Sequence, residues 1–286
     1  MGPVRKAILI VDDDPELCRL LLRLLHDEDL DVETCGTGAE AEDLLLRRSW
    51  DLVLLDLGLP DFNGMELLER YYSEDGPRFL IITADETSES VLRAVKDQAY
   101  GYVRKPFDPK ELVHLVRESL EAPRLPAIEV ISAKPEWFEL SVPCSRNAAE
   151  RVDQFMRQIT GLPEELRDSV AQCFRELLMN AVEWGGGLDP TRRVRISYLR
   201  TPRMLQYRIS DPGPGFKFEE LAHAAVGHAG GDLITHTTVR AEKGIRPGGF
   251  GLLMVKAMAD ELVFNEKQNE VVFIKYLDQP ATGGET

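Results

Sequence analysis

Two sets of polar residues in this chain have types and spacings suited to chemistry. The first is Asp12 and Asp13, Asp56, Thr83 and Lys105, each placed just after or at the end of a short apolar run. Carboxylates gathered in one place repel and raise a pKa unless a cation neutralises them, which predicts a Mg²⁺ site. Lys105 adds a point charge suited to a phosphate. Ordinary loop polarity accounts for any one of these residues, but their recurrence at successive strand ends weighs against it. Asp14, followed by Pro15, has a simpler reading as a helix N-cap and first helical residue, and is left outside the site.

The second set begins in FRELLMNAVEWGGG, Phe174 to Gly187. Phe174, Leu177, Leu178, Ala181 and Val182 recur at helical spacing, with a glycine stop at Gly185. Glu176 and Asn180 then lie one turn apart on the same face. A carboxylate and a carboxamide so placed suit a base beside a Mg²⁺ ligand, since Mg²⁺ takes oxygen donors and shares them with substrate phosphates. From that stretch alone, a plain amphipathic helix carrying two polar residues is the simpler reading. Downstream, ISDPGPGF spans Ile209 to Phe216, and PGGFGLL spans Pro247 to Leu253 ahead of another helical pattern. Gly249 and Gly251 stand where a phosphate could meet the free N–H groups of a helix start.

The elements that must position these residues follow from periodicity. Short apolar runs alternate with helical patterns from Ala7 to Leu120: Ala7–Val11, Val32–Cys35, Leu52–Leu55, Phe79–Thr83 and Tyr100–Arg104 read as strands, each followed by a helix. The pattern predicts an α/β, doubly wound, five-stranded parallel sheet with its ligands at the carboxyl ends of the strands. Three prolines and little helical pattern place a linker at 122–135. Beyond it, WFELSVP alternates as a half-buried strand. Helical patterns follow over Ala148–Ile159 and Glu164–Trp184, then strands over Val194–Leu199 and Leu205–Ser210, then a hairpin of Leu262–Phe264 and Val271–Tyr276. An α/β two-layer sandwich is expected over 136–278, with a tail over 279–286.

The first half, 1–121, resembles the response-regulator receiver domain. The resemblance implies Asp56 as phosphoacceptor, with Asp12 and Asp13 joining it as Mg²⁺ ligands. It makes Thr83 and Lys105 the sensors of the acyl phosphate, and Tyr102 a switch aromatic that turns inward on phosphorylation. The loop DLGLPDFNG keeps the family's Pro60 and Gly64; Leu59 stands where Met is usual, and Gln98 where Gly is common. The chemistry agrees: a carboxylate nucleophile, a metal on the phosphoryl oxygens and an ammonium for the product. The donor would be a separate histidine kinase.

In order, ExxxN, DxGxG and GxG before a helix resemble the ATP-binding domain of the GHKL superfamily, of the Bergerat type. The linker offers no phosphorylatable His on a helical hairpin, so a complete histidine kinase is not expected. The opening strand, two helices and Glu176–Asn180 look most like the anti-sigma-factor serine kinases, whose substrate is a small STAS-domain antagonist protein. That resemblance implies Glu176 as base for a serine hydroxyl, Asn180 as ligand of the ATP-bound Mg²⁺ and Asp211 as acceptor for the adenine amino group. Gly213, Gly215, Gly249 and Gly251 would wrap the nucleotide. The segment Phe216–Gly248 would be the ATP lid, with Lys243 and Arg246 reaching the phosphates; His223, His228 and His236 within it lack metal-ligand spacing. Trp184 replaces the His or Lys often found there and is given no role.

A formal net charge of −15 argues against nucleic acid as partner, because phosphate contacts need Lys and Arg. Cys18, Cys35, Cys144 and Cys173 form no CxxC pair and read as buried small residues, which fits a reducing cytoplasm. No run approaches a membrane span, and no signal peptide is evident. The partners expected are therefore proteins: an upstream histidine kinase, and a STAS-domain antagonist or a sigma factor. A homodimer is left open. Two other outputs also stay open: a nucleotide-gated binding module without kinase activity, and phosphorylation of a histidine on a separate phosphotransfer protein.

Overall fold

A computed structural model describes residues 5–26, 29–85, 87–124, 126–159, 162, 164–215 and 251–277. The chain divides into two compact units, Met1–Arg124 and Leu125–Thr286.

The first unit alternates β1 (Lys6–Val11), α1 (Pro15–Leu24), β2 (Leu30–Cys35), α2 (Gly38–Arg47), β3 (Leu52–Leu55), α3 (Gly64–Tyr71), β4 (Arg78–Thr83), α4 (Ser88–Lys96), β5 (Gly101–Arg104) and α5 (Pro109–Glu121). All five strands are parallel, in the order β2-β1-β3-β4-β5. Strands covered on both faces must be apolar throughout, and Ile8 to Val11 and Leu52 to Leu55 are at most 1 % exposed. The strand order reverses between β1 and β3, where Val11 pairs with Leu55. Asp12 and Asp56 therefore leave neighbouring strands side by side, at the switch point where such sheets bind ligands. Asp14 caps α1, accepting from the N–H groups of Glu16 and Leu17, with Pro15 next in the helix.

Gln98 takes a φ of +63°. This left-handed backbone, cheap only for glycine, explains why Gly suits the position. Its carboxamide compensates by donating to the carbonyls of Val95 and Lys96.

The second unit comprises β6 (Glu129–Lys134), β7 (Trp137–Pro143), α6 (Arg146–Ile159), α7 (Glu164–Asn180), β8 (Arg193–Arg200), β9 (Met204–Ser210), α8 (Gly251–Met258), β10 (Glu261–Phe264) and β11 (Glu270–Tyr276). They build a fully antiparallel six-stranded sheet, β10-β11-β9-β8-β7-β6. Period-2 burial selects one face for the core: Val194, Ile196 and Tyr198 are buried on β8 and Leu205, Tyr207 and Ile209 on β9, while Arg195 and Arg208 are exposed. On that face Tyr207 packs at 4.8 Å from Phe174 of α7 and 5.6 Å from Tyr198, which stacks on Phe138 at 4.7 Å. Helices on one face of an antiparallel sheet make the α/β two-layer sandwich that the strand and helix patterns imply.

Two local expectations are corrected. Residues 122–135 are not all linker: Glu129–Lys134 is an edge strand paired with β7 through a bulge. The prolines flank this strand and leave its own N–H groups free to pair. The helix from Glu164 also does not run unchanged to Gly185. Residues Ala181–Gly185 form a π-helical turn, closed by a bond from Gly186 N–H to Ala181 O at 2.8 Å. Among the described residues, no helix is long and apolar enough to cross a membrane.

Candidate functional site

At the carboxyl ends of β1, β3 and β5, Lys105 Nζ lies 2.6 Å from both Asp12 Oδ2 and Asp56 Oδ2. Asp12, Asp56 and Thr83 are almost fully buried, whereas Asp13 is exposed. One oxygen from each of Asp12, Asp13 and Asp56 falls within 4.8 Å of the others. The free oxygens are oriented by backbone: Asp12 Oδ1 accepts from Asp14 N–H and Asp56 Oδ1 from Gly58 N–H. Gly64 makes room for this loop, since a Cβ there would lie 2.3 Å from Asp56 O.

Burial pushes the Asp12 carboxyl above its ordinary range against the opposing pull of Lys105. Burial also disfavours the Lys105 ammonium, but its hydrogen bonds to Asp12 and Asp56 outweigh that and raise its pKa. Three carboxylates facing one ammonium leave negative charge in excess. With an all-oxygen donor set, this fits a hard divalent cation such as Mg²⁺. A cleft of about 470 Å³ opens beside Asp56, lined in part by Asn63, Thr83, Asp85, Ser90 and Arg93.

Thr83 Oγ1 accepts from Asp85 N–H at 3.2 Å. The Tyr102 ring lies inside, 2 % exposed, with its hydroxyl donating to Asp85 O at 2.9 Å. Burial raises the pKa of that hydroxyl.

In the second unit the motifs converge through glycines. A Cβ on Gly251, at the start of α8, would lie 1.9 Å from Glu176 Oε2. A side chain at this helix start would require the Glu176 carboxylate to move. A Cβ on Gly185, in the π-helical turn, would lie 2.1 Å from Asp211 Oδ1, and one on Gly213 would lie 2.7 Å from the same atom. The turn after Asn180 and the loop from Asp211 are thus in direct contact. Asp211 Oδ1 accepts from Gly213 N–H at 2.7 Å. Burial raises the Asp211 pKa, opposed by that hydrogen bond and by Arg192. Gly215 has a φ of +83°.

Sequence reasoning treated Gly185 as a helix stop and did not see that it lies against the Asp211 side chain. It also missed Arg192, which donates to Pro212 O at 2.7 Å and Gly186 O at 3.3 Å, tying the loop to the turn. No local signal marks Arg192, because its partners lie in different motifs. Trp184 is half-buried. Gly249, Lys243, Arg246, the three lid histidines and the tail lie outside the described residues. The four cysteines are buried and unpaired with one another, their thiols pushed up by burial to about 11 at Cys18, Cys144 and Cys173 and about 12 at Cys35.

Residues 8–117 match the response regulator receiver domain family, and residues 144–275 match the histidine kinase-like ATPase domain family. The DNA-binding response regulator MtrA of Mycolicibacterium smegmatis is 34% identical over 192 residues, 65% of this chain and 81% of that protein. The chain belongs to the response regulator family. This response regulator is also similar to the regulatory protein VanRB of Enterococcus faecalis, 34% identical over 113 residues, covering 40% of this chain and 51% of that one. Among solved structures, the CheY-like receiver domain protein from Methanospirillum hungatei JF-1 is 30% identical, covers 41% of this chain and 94% of its own, and has a TM-score of 0.39. The response regulator thus joins a receiver, which implies an upstream phosphodonor such as a histidine kinase, to an ATPase-type domain, which implies ATP binding.

Proposed function

We propose that Asp56 accepts a phosphoryl group and thereby controls an ATP-dependent serine kinase of the anti-sigma-factor type, acting on a STAS-domain antagonist protein. What supports this reading is that one chain carries the Lys105, Asp12 and Asp56 cluster together with a second unit in which Gly251 lies against Glu176 and Gly185 lies against Asp211.

At the first site a carboxylate oxygen of Asp56 attacks the phosphorus of a kinase phosphohistidine; the P–N bond breaks and the imidazole leaves. Asp12, Asp13 and Asp56 would hold Mg²⁺, which supplies charge neutralisation for the phosphoryl oxygens. Lys105, already bridging Asp12 and Asp56, would pair with the new phosphate, and Thr83 would donate its hydroxyl to it.

At the second site Glu176 would take the proton of a serine hydroxyl as its oxygen bonds to the γ-phosphorus and ADP departs. Asn180 would hold the metal that accompanies ATP. Asp211 would accept from the adenine amino group, and Gly213, Gly215, Gly249 and Gly251 would admit the nucleotide to close backbone approach. Lys243 and Arg246 are proposed phosphate contacts.

The MtrA relatives are named as DNA-binding. For this chain a net charge of −15 and the ATPase-type match over residues 144–275 favour a protein partner. The test is to incubate the full chain with γ-labelled ATP, Mg²⁺ and a co-purifying STAS-domain protein. Acid-stable label on a partner serine is expected. Acid-labile label points to phosphohistidine and absence of label to a binding module, and either result contradicts the serine-kinase reading. Glu176→Gln should keep nucleotide and lose transfer.

A further inference from the structure

The Asp211–Gly215 loop rests at both ends on the turn between β10 and β11. Asn269 Nδ2 donates to Asp211 O at 3.3 Å and to Gly213 O at 3.2 Å, while Asn269 O accepts the Asp211 N–H at 2.9 Å. The carboxamide is itself fixed from behind. Asn265 Nδ2 donates to Asn269 Oδ1 at 2.8 Å, and Asn265 Oδ1 accepts the N–H groups of Asn269 and Glu270 at 3.1 and 3.2 Å. At the far end, Gly215 approaches Lys267 so closely that an added Cβ would lie 1.5 Å from the Lys267 carbonyl oxygen.

We propose that Asn269 is a positioning residue for nucleobase selectivity: by gripping the loop carbonyls on either side of Pro212, it fixes the Asp211 carboxylate where the exocyclic amino group of adenine donates to it. The inference rests on the ATP-binding reading and extends it to a residue outside the nucleotide motifs. The position demands two donors toward Asp211 O and Gly213 O and one acceptor toward Asn265, from a short side chain. Asn supplies all of these. Asp would face two carbonyl oxygens with no donor, and Ala would leave both carbonyls without this partner. Arg192 grips the same loop through Pro212 O, but from the β8 side, so the two residues clamp it between them.

The geometry gives selectivity and not only affinity. The carboxylate gains from a base that donates at that point; a base lacking the donor leaves a half-buried carboxylate without a partner. Losing a hydrogen bond to a charged acceptor is worth about tenfold in affinity. That advantage exists only while the carboxylate is held in place.

The test uses the full chain with Mg²⁺ and two probes: ATP, and purine riboside 5′-triphosphate, which lacks the amino group. The wild type is expected to bind ATP about tenfold tighter than the analogue. Asn269→Ala and the near-isosteric Asn269→Asp should each shrink that ratio to about twofold, chiefly by weakening ATP. A merely structural role would weaken both nucleotides alike. An unchanged ratio in a folded variant overturns the proposal, as does failure of both variants to fold, judged by circular dichroism. If the wild type binds neither nucleotide, the ATP-binding reading itself fails. If it binds both equally, that reading stands, the adenine-acceptor role of Asp211 fails, and the proposal falls with it.

Discussion

Gly185 lies against the Asp211 carboxylate so closely that a methyl group on it would sit 2.1 Å from Oδ1. The π-helical turn that ends the Glu176–Asn180 helix is therefore a wall of the proposed nucleotide pocket. Gly185→Ala should displace Asp211 and weaken ATP binding by at least about tenfold, the loss expected when a hydrogen bond to a charged group is removed. Calorimetric titration checks this, with acyl-phosphate labelling of Asp56 as the folding control for the first unit. Wild-type ATP affinity in the variant would mean that Asp211 does not contact the base.

The raised pKa of Asp211 has a sign that can be measured. Burial makes its ionisation costlier in the folded chain than in the unfolded one. Stability from this group is therefore fully present below the unfolded carboxyl pKa, and is lost as pH rises through the raised value. Asp211→Asn removes the ionisation and keeps an oxygen for Gly213 N–H. In the absence of nucleotide it should melt above the wild type at pH 7, with the gap closing near pH 4, around the ordinary carboxyl value. The same variant should bind ATP more weakly. A lower melting temperature at pH 7 would show that the ionised form is stabilised in place.

Gln98 holds a left-handed backbone at φ +63° just before β5. Left-handed backbone costs a non-glycine residue about 1–2 kcal/mol, and the two carboxamide bonds to Val95 and Lys96 recover part of that. Gln98→Gly should stabilise the first unit by about 0.5–1 kcal/mol, read by urea unfolding. Destabilisation would show that the side-chain bonds outweigh the backbone strain.

Much of the architecture was legible because it rests on local signals. Apolar runs and the Asp14–Pro15 cap mark the alternating first unit, and polar residues at the ends of the first, third, fourth and fifth runs mark where the sheet presents ligands. Asp12, Asp56 and Lys105 come together because parallel register carries three strand ends to one edge, a consequence of topology that alternation foretells. The strand at 129–134 was hidden by flanking prolines, and an edge strand needs little apolar content to pair. Gly185, Arg192 and Asn269 were not legible as parts of a site. Their roles arise from contacts between the turn after Asn180, the loop from Asp211 and a hairpin more than fifty residues further on. Tyr102 was identified, but its inward position depends on a carbonyl, Asp85 O, whose location no side-chain pattern encodes.

The central claim is that phosphorylation at Asp56 governs the kinase output, and the most direct measurement is the rate of acid-stable label transfer from ATP to the STAS-domain partner. It should be taken for the wild type with and without a small acyl-phosphate donor, and for Asp56→Asn with the donor. The account predicts a change of about 5- to 150-fold on adding donor to the wild type, the range of a coupling of about 1–3 kcal/mol, and none in Asp56→Asn. Equal rates in all three, with Asp56 shown to carry phosphate, would contradict it.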